Sequence, residues 1–595
     1  MGQADSRPGV RAVTLDGLAV GATIAAFAFP LLLAAAMPVR FLRPLVAALA
    51  PWAALPALIL AVGLHGRVTI DWSAAVLGMR LGSSGTLTRG FLLFTACLWL
   101  VSSLFARAYL AGDPDRARFW VFFLATLSGN LGLVLAQDVA SFYLFFALMT
   151  FAAYGLIVHD GTGAARRAGR VYLVMALLGE MSLLAAFLLI VGADINVDLQ
   201  DVPRVVAASA LRELIAALLL VGFGVKAGAL LLHMWLPLAH PAAPIPASAI
   251  LSGAMIKAGV LGWLRFLPLG AAALPAHGSA CVVAGVAAAF FGVALGLTQR
   301  ESKTILAYSS VSQMGFMTAA LGIGLSNPGA APGVVAAILF YAMHHALAKG
   351  ALFLGTGVAR ATGSGWPGGL VALGLSWPAL DLAGAPLSSG SLAKIALTNI
   401  VAQAPWGAAS LPWLLSLGAV ASTLLMIHFV RRTLPRSTER LVPGAGLWVP
   451  WACLILLDLG LLVRPPVAPA DLGLLVAPGA LWSAAWPVLV GVVIAAVGGR
   501  LRRRGTRVRV ELPPGDLLYL VDAALMKLQR VLLAARDAWA SVDVRQRRAR
   551  LVPIGRLSDR LLEAAERGEV ALSAFGAIGL LFLLLAVVVA AAQLF

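Results

Sequence analysis

Long runs of apolar residues, separated by short polar segments, dominate the pattern of this chain. A run of about 20 residues is long enough to cross a hydrocarbon core of roughly 30 Å as a helix. The pattern predicts about 16 such crossings, and therefore an all-α membrane protein. The first run is too long for the core of a signal peptide, so we expect it to remain as a span. Clear examples are residues 13–37, 91–110, 211–232, 334–353 and 575–594.

Composition and charge narrow this picture. Of the 595 residues, 61% are hydrophobic and 12% are charged, which is outside the range of soluble globular chains. The net charge of +18 comes from arginines that cluster in alternate loops, the positive-inside pattern of membrane proteins. We therefore predict a multi-pass protein of the bacterial inner membrane, in contact with the lipid bilayer, with both termini on the periplasmic side and with no nucleic-acid partner. The arginine-rich segments are residues 40–43, 107–118, 166–170, 300–303, 431–440 and 500–509.

Redox and hydrolytic chemistry find no support in the sequence. Cys97, Cys281 and Cys453 stand singly within apolar runs, without the paired spacing of a disulfide, a zinc site or an iron–sulfur cluster. Neither a phosphate-binding glycine loop nor a Ser/His/Asp arrangement in a suitable turn occurs. We predict no cofactor, no metal and no catalytic residue, and the sequence leaves open whether the chain is part of an enzyme.

Ionisable residues inside the apolar runs are the most informative feature. A charge in hydrocarbon is costly, so such a residue usually faces a cavity or a partner. A single one has a plain alternative, a locally satisfied side chain near a helix end. Lys226 and Lys257 carry most weight, because apolar residues flank each of them for a turn or more on both sides. The ten residues are Glu180, Lys226, His233, Lys257, His344, His345, Lys349, Asp381, Lys394 and Asp458.

Two segments have the composition of interrupted helices. In residues 232–246, four prolines and two histidines follow shortly after Lys226. In residues 377–394, prolines and glycines precede Lys394. Prolines end or kink helices, and broken helices at matching places in two halves of a chain are typical of inverted-repeat transporters. We predict two inverted repeats with one half-channel around each lysine.

Four motifs in a fixed order resemble one known family, the antiporter-like membrane subunits of respiratory complex I and of Mrp-type cation/proton antiporters. The resemblance extends over roughly residues 90–460. It implies a proton path of buried, mutually coupled groups that is driven from a neighbouring subunit. Lys226 and Lys394 would be the central lysines of the two channels. The motifs are residues 226–259, 301–315, 345–354 and 384–394, and the predicted path is Glu180, Lys226, His233, Lys257, His345, Lys349 and Lys394.

One departure from the family pattern concerns the acid that pairs with the first lysine. The family normally has a glutamate on the fifth span, where this chain has Ala147 within the run 142–149. Glu180, on the next span, is the nearby acid within the membrane. Either the acid has moved to Glu180, which would then pair with Lys226 while Ala147 faces the same cavity, or the first half-channel is impaired. The first alternative avoids a buried, unpaired charge on Lys226.

The C-terminal part lies outside the resemblance. Apolar residues at alternating three- and four-residue spacing predict an amphipathic helix over residues 516–545. It is either a plain surface helix or a lateral strut along sister subunits, followed by a final anchor span at 571–594. The predicted domains are N-terminal helices (1–89), a proton-translocating core (90–460), a further helix and basic loop (461–510), the lateral helix region (511–568) and the anchor (569–595).

These features predict a proton-translocating subunit of a complex I-like assembly, either an NADH:quinone oxidoreductase or a membrane hydrogenase. Its partners would be other membrane subunits, and protons would be the transported ion. Two alternatives use the same path. The chain would be the membrane energy-coupling subunit of an inorganic-carbon-accumulating complex, or a subunit of an Mrp-type Na⁺/H⁺ antiporter.

Overall fold

The structure is a computed structural model. It describes residues 17–63, 68–71, 79–83, 85–194, 197–434, 444–463 and 472–503, and six single residues between 513 and 534. The chain divides into two compact units, Met1–Leu512 and Pro513–Phe595, and all elements described below belong to the first. The predicted lateral helix at 516–545 and anchor at 571–594 lie outside the described residues, apart from four single positions.

Twenty α-helices and one two-stranded antiparallel sheet make up this unit as far as it is described. The sheet pairs β1 (Val68–Asp71) with β2 (Arg80–Ser83). The first ten helices are α1 (Gly17–Ala36), α2 (Arg43–Leu49), α3 (Leu55–Gly63), α4 (Gly85–Tyr109), α5 (Arg116–Leu135), α6 (Val139–Ile157), α7 (Gly163–Ala193), α8 (Val202–Ala208), α9 (Arg212–Ala227) and α10 (Leu236–Ala242). The other ten are α11 (Ile245–Ile250), α12 (Ile256–Phe266), α13 (Pro275–Thr298), α14 (Ser302–Ser326), α15 (Ala331–Arg360), α16 (Trp366–Ala383), α17 (Ser389–Val401), α18 (Leu411–Thr433), α19 (Ala445–Val463) and α20 (Pro478–Arg503).

Many of these helices have the length and composition of membrane spans. Twelve candidate spans occur within the described ranges, among them α4, α13 and α18. A π-helical stretch, Leu251–Met255, joins α11 to α12, and the combined helix is also a candidate span. The prediction of a helical multi-pass membrane protein is therefore confirmed, whereas the count of about 16 crossings is not.

Glycines bring the backbones of α13 and α14 almost into contact. A Cβ added at Gly285 would lie 2.5 Å from the carbonyl oxygen of Gly315. A Cβ at Gly322 would lie 2.4 Å from the carbonyl oxygen of Gly278. Helices in lipid associate through such close packing of small residues, because burial of apolar surface gains little there.

Two helices end with the same backbone pattern. Gly228 caps α9 with φ 73° and Gly384 caps α16 with φ 80°, both in the left-handed conformation that glycine adopts without strain. Three positions later, Leu231 (φ 70°) and Leu387 (φ 55°) are the non-glycine residues with positive φ in the described chain. The two turns therefore share their conformation and their spacing.

Candidate functional site

The first group of ionisable residues lies between α6, α7 and α9. Lys226 is 5% exposed and Glu180 is 2% exposed. Both line a cavity of about 10 Å³, which is room for about one water molecule. Lys226 Nζ donates a hydrogen bond of 3.3 Å to the Tyr172 hydroxyl and lies 5.4 Å from the ring centroid of Phe146. Aromatic faces stabilise a cation, so this site is suited to a charged lysine.

Glu180 and Lys226 thus meet across one small space, although no hydrogen bond joins them. Neither carboxyl oxygen of Glu180 makes a hydrogen bond of good geometry among the described residues, although the Thr150 hydroxyl lies close to the carboxyl group. Helix α6 contributes Phe146 and Thr150 to the cavity wall, but not Ala147. Phe146 and Thr150 are one helical turn apart and share a face, whereas the next position along the helix is turned about 100° away. The expectation that Ala147 faces this cavity is therefore wrong.

The second group occupies the centre, between α12, α14 and α15. Lys257 Nζ lies 2.5 Å from His345 Nδ1 and donates a second hydrogen bond of 2.5 Å to the Ser252 carbonyl. All three residues are 0% exposed. Ser252 belongs to the π-helical stretch, a local widening that is frequent at functional sites. Lys349, also 0% exposed, donates a hydrogen bond of 2.8 Å to the carbonyl oxygen of Leu306.

His240 adjoins this central group but was not part of the predicted path. It is 0% exposed, its ring stacks on Phe353 at 4.8 Å, and neither ring nitrogen has a hydrogen-bond partner in the described part of the chain. Lys257, Lys303 and Lys349 are its charged neighbours. In the sequence, the feature that could have identified His240 is its position in the proline-rich segment 232–246. His233, in the same segment and equally buried, packs edge-on against a phenylalanine at 5.3 Å.

Lys394 lies on α17, beyond the turn that ends α16. Its Nζ donates a hydrogen bond of 2.5 Å to the carbonyl oxygen of Ala383 and lies 6.0 Å from the ring centroid of Phe316. The side chain is half-buried and lines a cavity of about 530 Å³ between α17, α18 and α20, together with Trp413 and Trp486. This lysine therefore reaches far more open space than Lys226 does.

A third group combines one histidine with two acids. His344 on α15 forms an ion pair of 2.7 Å with Asp381 on α16, and Asp458 on α19 lies beside them. All three are 1% exposed, and one polar atom of each lies within 4.8 Å of the others. One histidine and two carboxyl groups therefore share one small buried space.

Comparison with known proteins identifies the part of the chain that carries these groups. Residues 136–417 match the family model described as NADH:quinone oxidoreductase/Mrp antiporter, TM. These residues are a domain of that family. All four motifs of the predicted resemblance fall within this antiporter-type domain, so the resemblance is confirmed. Asp458 lies beyond its end.

Individual relatives of the antiporter-type domain belong to several kinds of complex. The chain is 31% identical over 310 residues to Hydrogenase-4 component B of Escherichia coli, covering 49% of this chain and 46% of that protein. It is 30% identical over 269 residues to NAD(P)H-quinone oxidoreductase chain 5 of a Picosynechococcus species, covering 43% of this chain and 39% of that protein. This chain spans less than half of the length of both relatives.

A solved structure extends the similarity over most of the chain. A chain of the Mrp complex from a Dietzia species superposes with a TM-score of 0.69 at 26% identity. The similar region covers 93% of this chain and 63% of that one. The antiporter-type fold therefore includes helices on both sides of residues 136–417.

Proposed function

We propose that this chain conducts protons across the membrane as one subunit of a larger assembly of the complex I or Mrp type. The antiporter-type domain and the named relatives support this class, because each relative is described as a component, a chain or part of a complex. The buried ionisable groups support the transported species. A proton is the cation that lysine, histidine and carboxylate side chains bind and release.

The observation that carries the proposal is the row of buried lysines. Lys226, Lys257 and Lys349 are each at most 5% exposed, and each donates a hydrogen bond to an uncharged group. A permanent charge in such a place is expensive, so intramembrane ionisable residues are usually functional. Lysines that gain and lose a proton in turn would form a relay. His345, which contacts Lys257, would pass protons to and from that lysine.

We infer that α9–α10 and α16–α17 are two broken helices in corresponding places of a repeated unit. The matching turns at Gly228 and Gly384 support this, since both are followed by a leucine in a left-handed conformation three positions later. Strained backbone of this kind persists where the surrounding structure requires it, often at functional sites. Lys226 precedes the first break and Lys394 follows the second, as expected for ion sites at the breaks.

The first half-channel would work through charge coupling between Glu180 and Lys226. An ionised Glu180 stabilises the ammonium form of Lys226 across the cavity, and a protonated Glu180 removes that stabilisation. A charge movement in a neighbouring subunit that changes the state of Glu180 would therefore load or unload a proton at Lys226.

Transport measurements on the assembled complex test this function. Membrane vesicles from cells that express the chain with its partner subunits are followed with a pH-sensitive dye. We expect Lys226→Ala and Lys394→Ala to lose most proton movement while the subunits still co-purify. Arg204→Ala is the matched control, because the Arg204 side chain is 83% exposed. Wild-type rates in both lysine variants would contradict the proposal.

Exchange of Na⁺ for protons is the second candidate. The superposition on the Mrp complex over 93% of this chain favours it. A pulse of Na⁺ that moves protons without any redox substrate would support antiport. Proton movement driven by NADH or hydrogen would support the redox assemblies instead, and a co-purifying large zinc protein would indicate the carbon-accumulating alternative.

A further inference from the structure

The cluster of His344, Asp381 and Asp458 lies outside the predicted proton path, and its hydrogen bonds are unevenly distributed. Asp381 accepts hydrogen bonds from the Gly390 amide at 2.7 Å and from the Ser389 hydroxyl at 3.0 Å, in addition to its ion pair with His344. In contrast, neither oxygen of Asp458 makes a hydrogen bond of good geometry within the described residues, although the Asp381 carboxyl and the Trp377 indole lie close to it. Asp458 is therefore a buried carboxyl aimed at an already satisfied ion pair.

The balance of charges determines how many protons the two carboxyl groups of this cluster hold. His344 can neutralise at most one carboxylate, and Asp381 is the one that contacts it. A second ionised carboxylate at 1% exposure would be an unpaired buried charge next to a like charge. Two carboxyl groups that share a site hold one proton between them for this reason. The cluster is neutral when Asp458 carries that proton.

We propose that His344, Asp381 and Asp458 form a buried proton-binding site, in which Asp458 holds one proton and releases it toward Lys394 during transport. Only the release step rests on the proposed function. Release breaks the O–H bond of Asp458 and leaves the cluster with one negative charge. The proton passes to a neutral Lys394, and the new ammonium offsets that charge.

The backbone connects this site to Lys394. The Gly390 amide that binds Asp381 belongs to the first turn of α17, and Lys394 follows one turn later on the same helix. On the other side of the break, Lys394 Nζ binds the carbonyl oxygen of Ala383, two residues after Asp381. Asp381 interacts electrostatically with both Lys394 and Asp458. It is therefore placed to carry the charge change from one to the other.

The two matching turns make the position of Asp381 more informative. Lys226-Ala-Gly228 of the first turn corresponds to Leu382-Ala-Gly384 of the second. Asp381 therefore stands one residue before the position that Lys226 has at the first break. The first break therefore has a lysine near this position, and the second break has an aspartate. His344 and Asp458, which lie beside Asp381, come from α15 and α19.

Other titratable groups also face the cluster. Tyr341 donates its hydroxyl to Gln313 Oε1 at 2.5 Å, so its proton is already engaged. His345, the neighbour of His344, is engaged by Lys257 at 2.5 Å. Lys394 on α17 completes the set. Among these groups Lys394 is the acceptor that also reaches a large cavity.

Infrared spectroscopy of the purified full chain in lipid nanodiscs tests proton binding without any transport. A protonated carboxyl group has a C=O stretch that is separate from the carboxylate bands and shifts in D₂O. We expect this band at neutral pH and expect Asp458→Asn to remove it. Asp201→Asn is the matched control, because the Asp201 side chain is 54% exposed. Glu180→Gln should leave the Asp458 contribution in place.

Transport by Asp458→Asn then tests release. Asparagine has the size of the protonated acid, so we expect an unchanged melting temperature and loss of most proton movement. An absent band, or a band unchanged in Asp458→Asn, would overturn proton binding. A lost band with wild-type transport would overturn release, and a stoichiometric metal ion that disappears in Asp458→Asn would replace the proton by a metal. If the wild-type assembly moves no protons, the proposed function fails while the infrared result still decides proton binding.

Discussion

Replacement of Glu180 by glutamine tests the first half-channel most directly. Glutamine keeps the size of the side chain but removes the charge that faces Lys226 across the cavity. If one water spans the cavity, its two hydrogen bonds, at a roughly tetrahedral angle, set the carboxyl oxygen and Nζ roughly 4.6 Å apart. At an effective dielectric constant of about 20, the Coulomb attraction is then about 3.6 kcal/mol.

This energy predicts the size of the effect. Because about 1.4 kcal/mol corresponds to a tenfold change in an equilibrium, losing the attraction changes the ratio of charged to neutral Lys226 by roughly 400-fold. We therefore expect Glu180→Gln to reduce proton movement through the first half by a similar factor. Dye measurements in vesicles, with assembly checked by co-purification, give the rate.

A double change adds a control on position. Ala147 lies beside Phe146, whose ring faces Lys226 Nζ at 5.4 Å, but position 147 itself is turned away from the cavity. Ala147→Glu combined with Glu180→Gln should therefore not return the lost transport. Wild-type transport by Glu180→Gln alone would refute the reasoning, and the first half-channel would then have to be regarded as inactive.

Three further predictions concern stability and composition. Gly285→Val should lower stability by about 3 kcal/mol or prevent folding, because its Cβ would meet the backbone of α14. Gly460→Val, at a glycine with no atom within 4 Å of its Cβ position, should melt like the wild type in detergent. Asp138→Ala should cost about 1–2 kcal/mol, because Asp138 caps α6 by accepting from the Ser141 amide at 2.8 Å. Asp201→Ala, at a helix start without a side-chain cap, should not change the melting temperature. The purified chain should show no stoichiometric iron and no visible absorbance band, and either finding would contradict the absence of a prosthetic group.

The two proposed half-channels differ in the space around their lysines. Lys226 faces a cavity of about 10 Å³, whereas Lys394 lines one of about 530 Å³. A closed site holds a proton until its partner charge changes, because little water can stabilise either form. An open site exchanges protons with water more readily. We therefore expect the two half-channels to respond differently to a change in external pH.

The sequence alone determined the class of protein and identified the ionisable residues that lie buried within it. Apolar runs of span length require helices in lipid, because an unpaired backbone in hydrocarbon is too costly for other structures. The same cost made the intramembrane lysines and acids recognisable without any structure, since a charge in an apolar run needs a reason. The four ordered motifs then showed a resemblance to one family, and two of these motifs contain Lys226 and Lys394. The number of membrane spans did not follow from the sequence in the same way, because apolar runs do not show which helices are short or which are connected end to end.

Tertiary structure decided which of these groups meet. Lys257 and His345 are 88 residues apart in sequence, and only helix packing brings them to 2.5 Å. The face that α6 turns toward Lys226 excludes Ala147, which a motif comparison could not show. The pairing of His344 with Asp381, and the place of Asp458 beside them, depend on how α15, α16 and α19 pack together. The sequence shows, one residue at a time, which side chains are energetically unfavourable to bury. The interactions that offset this cost come from partners that only the folded chain brings into contact.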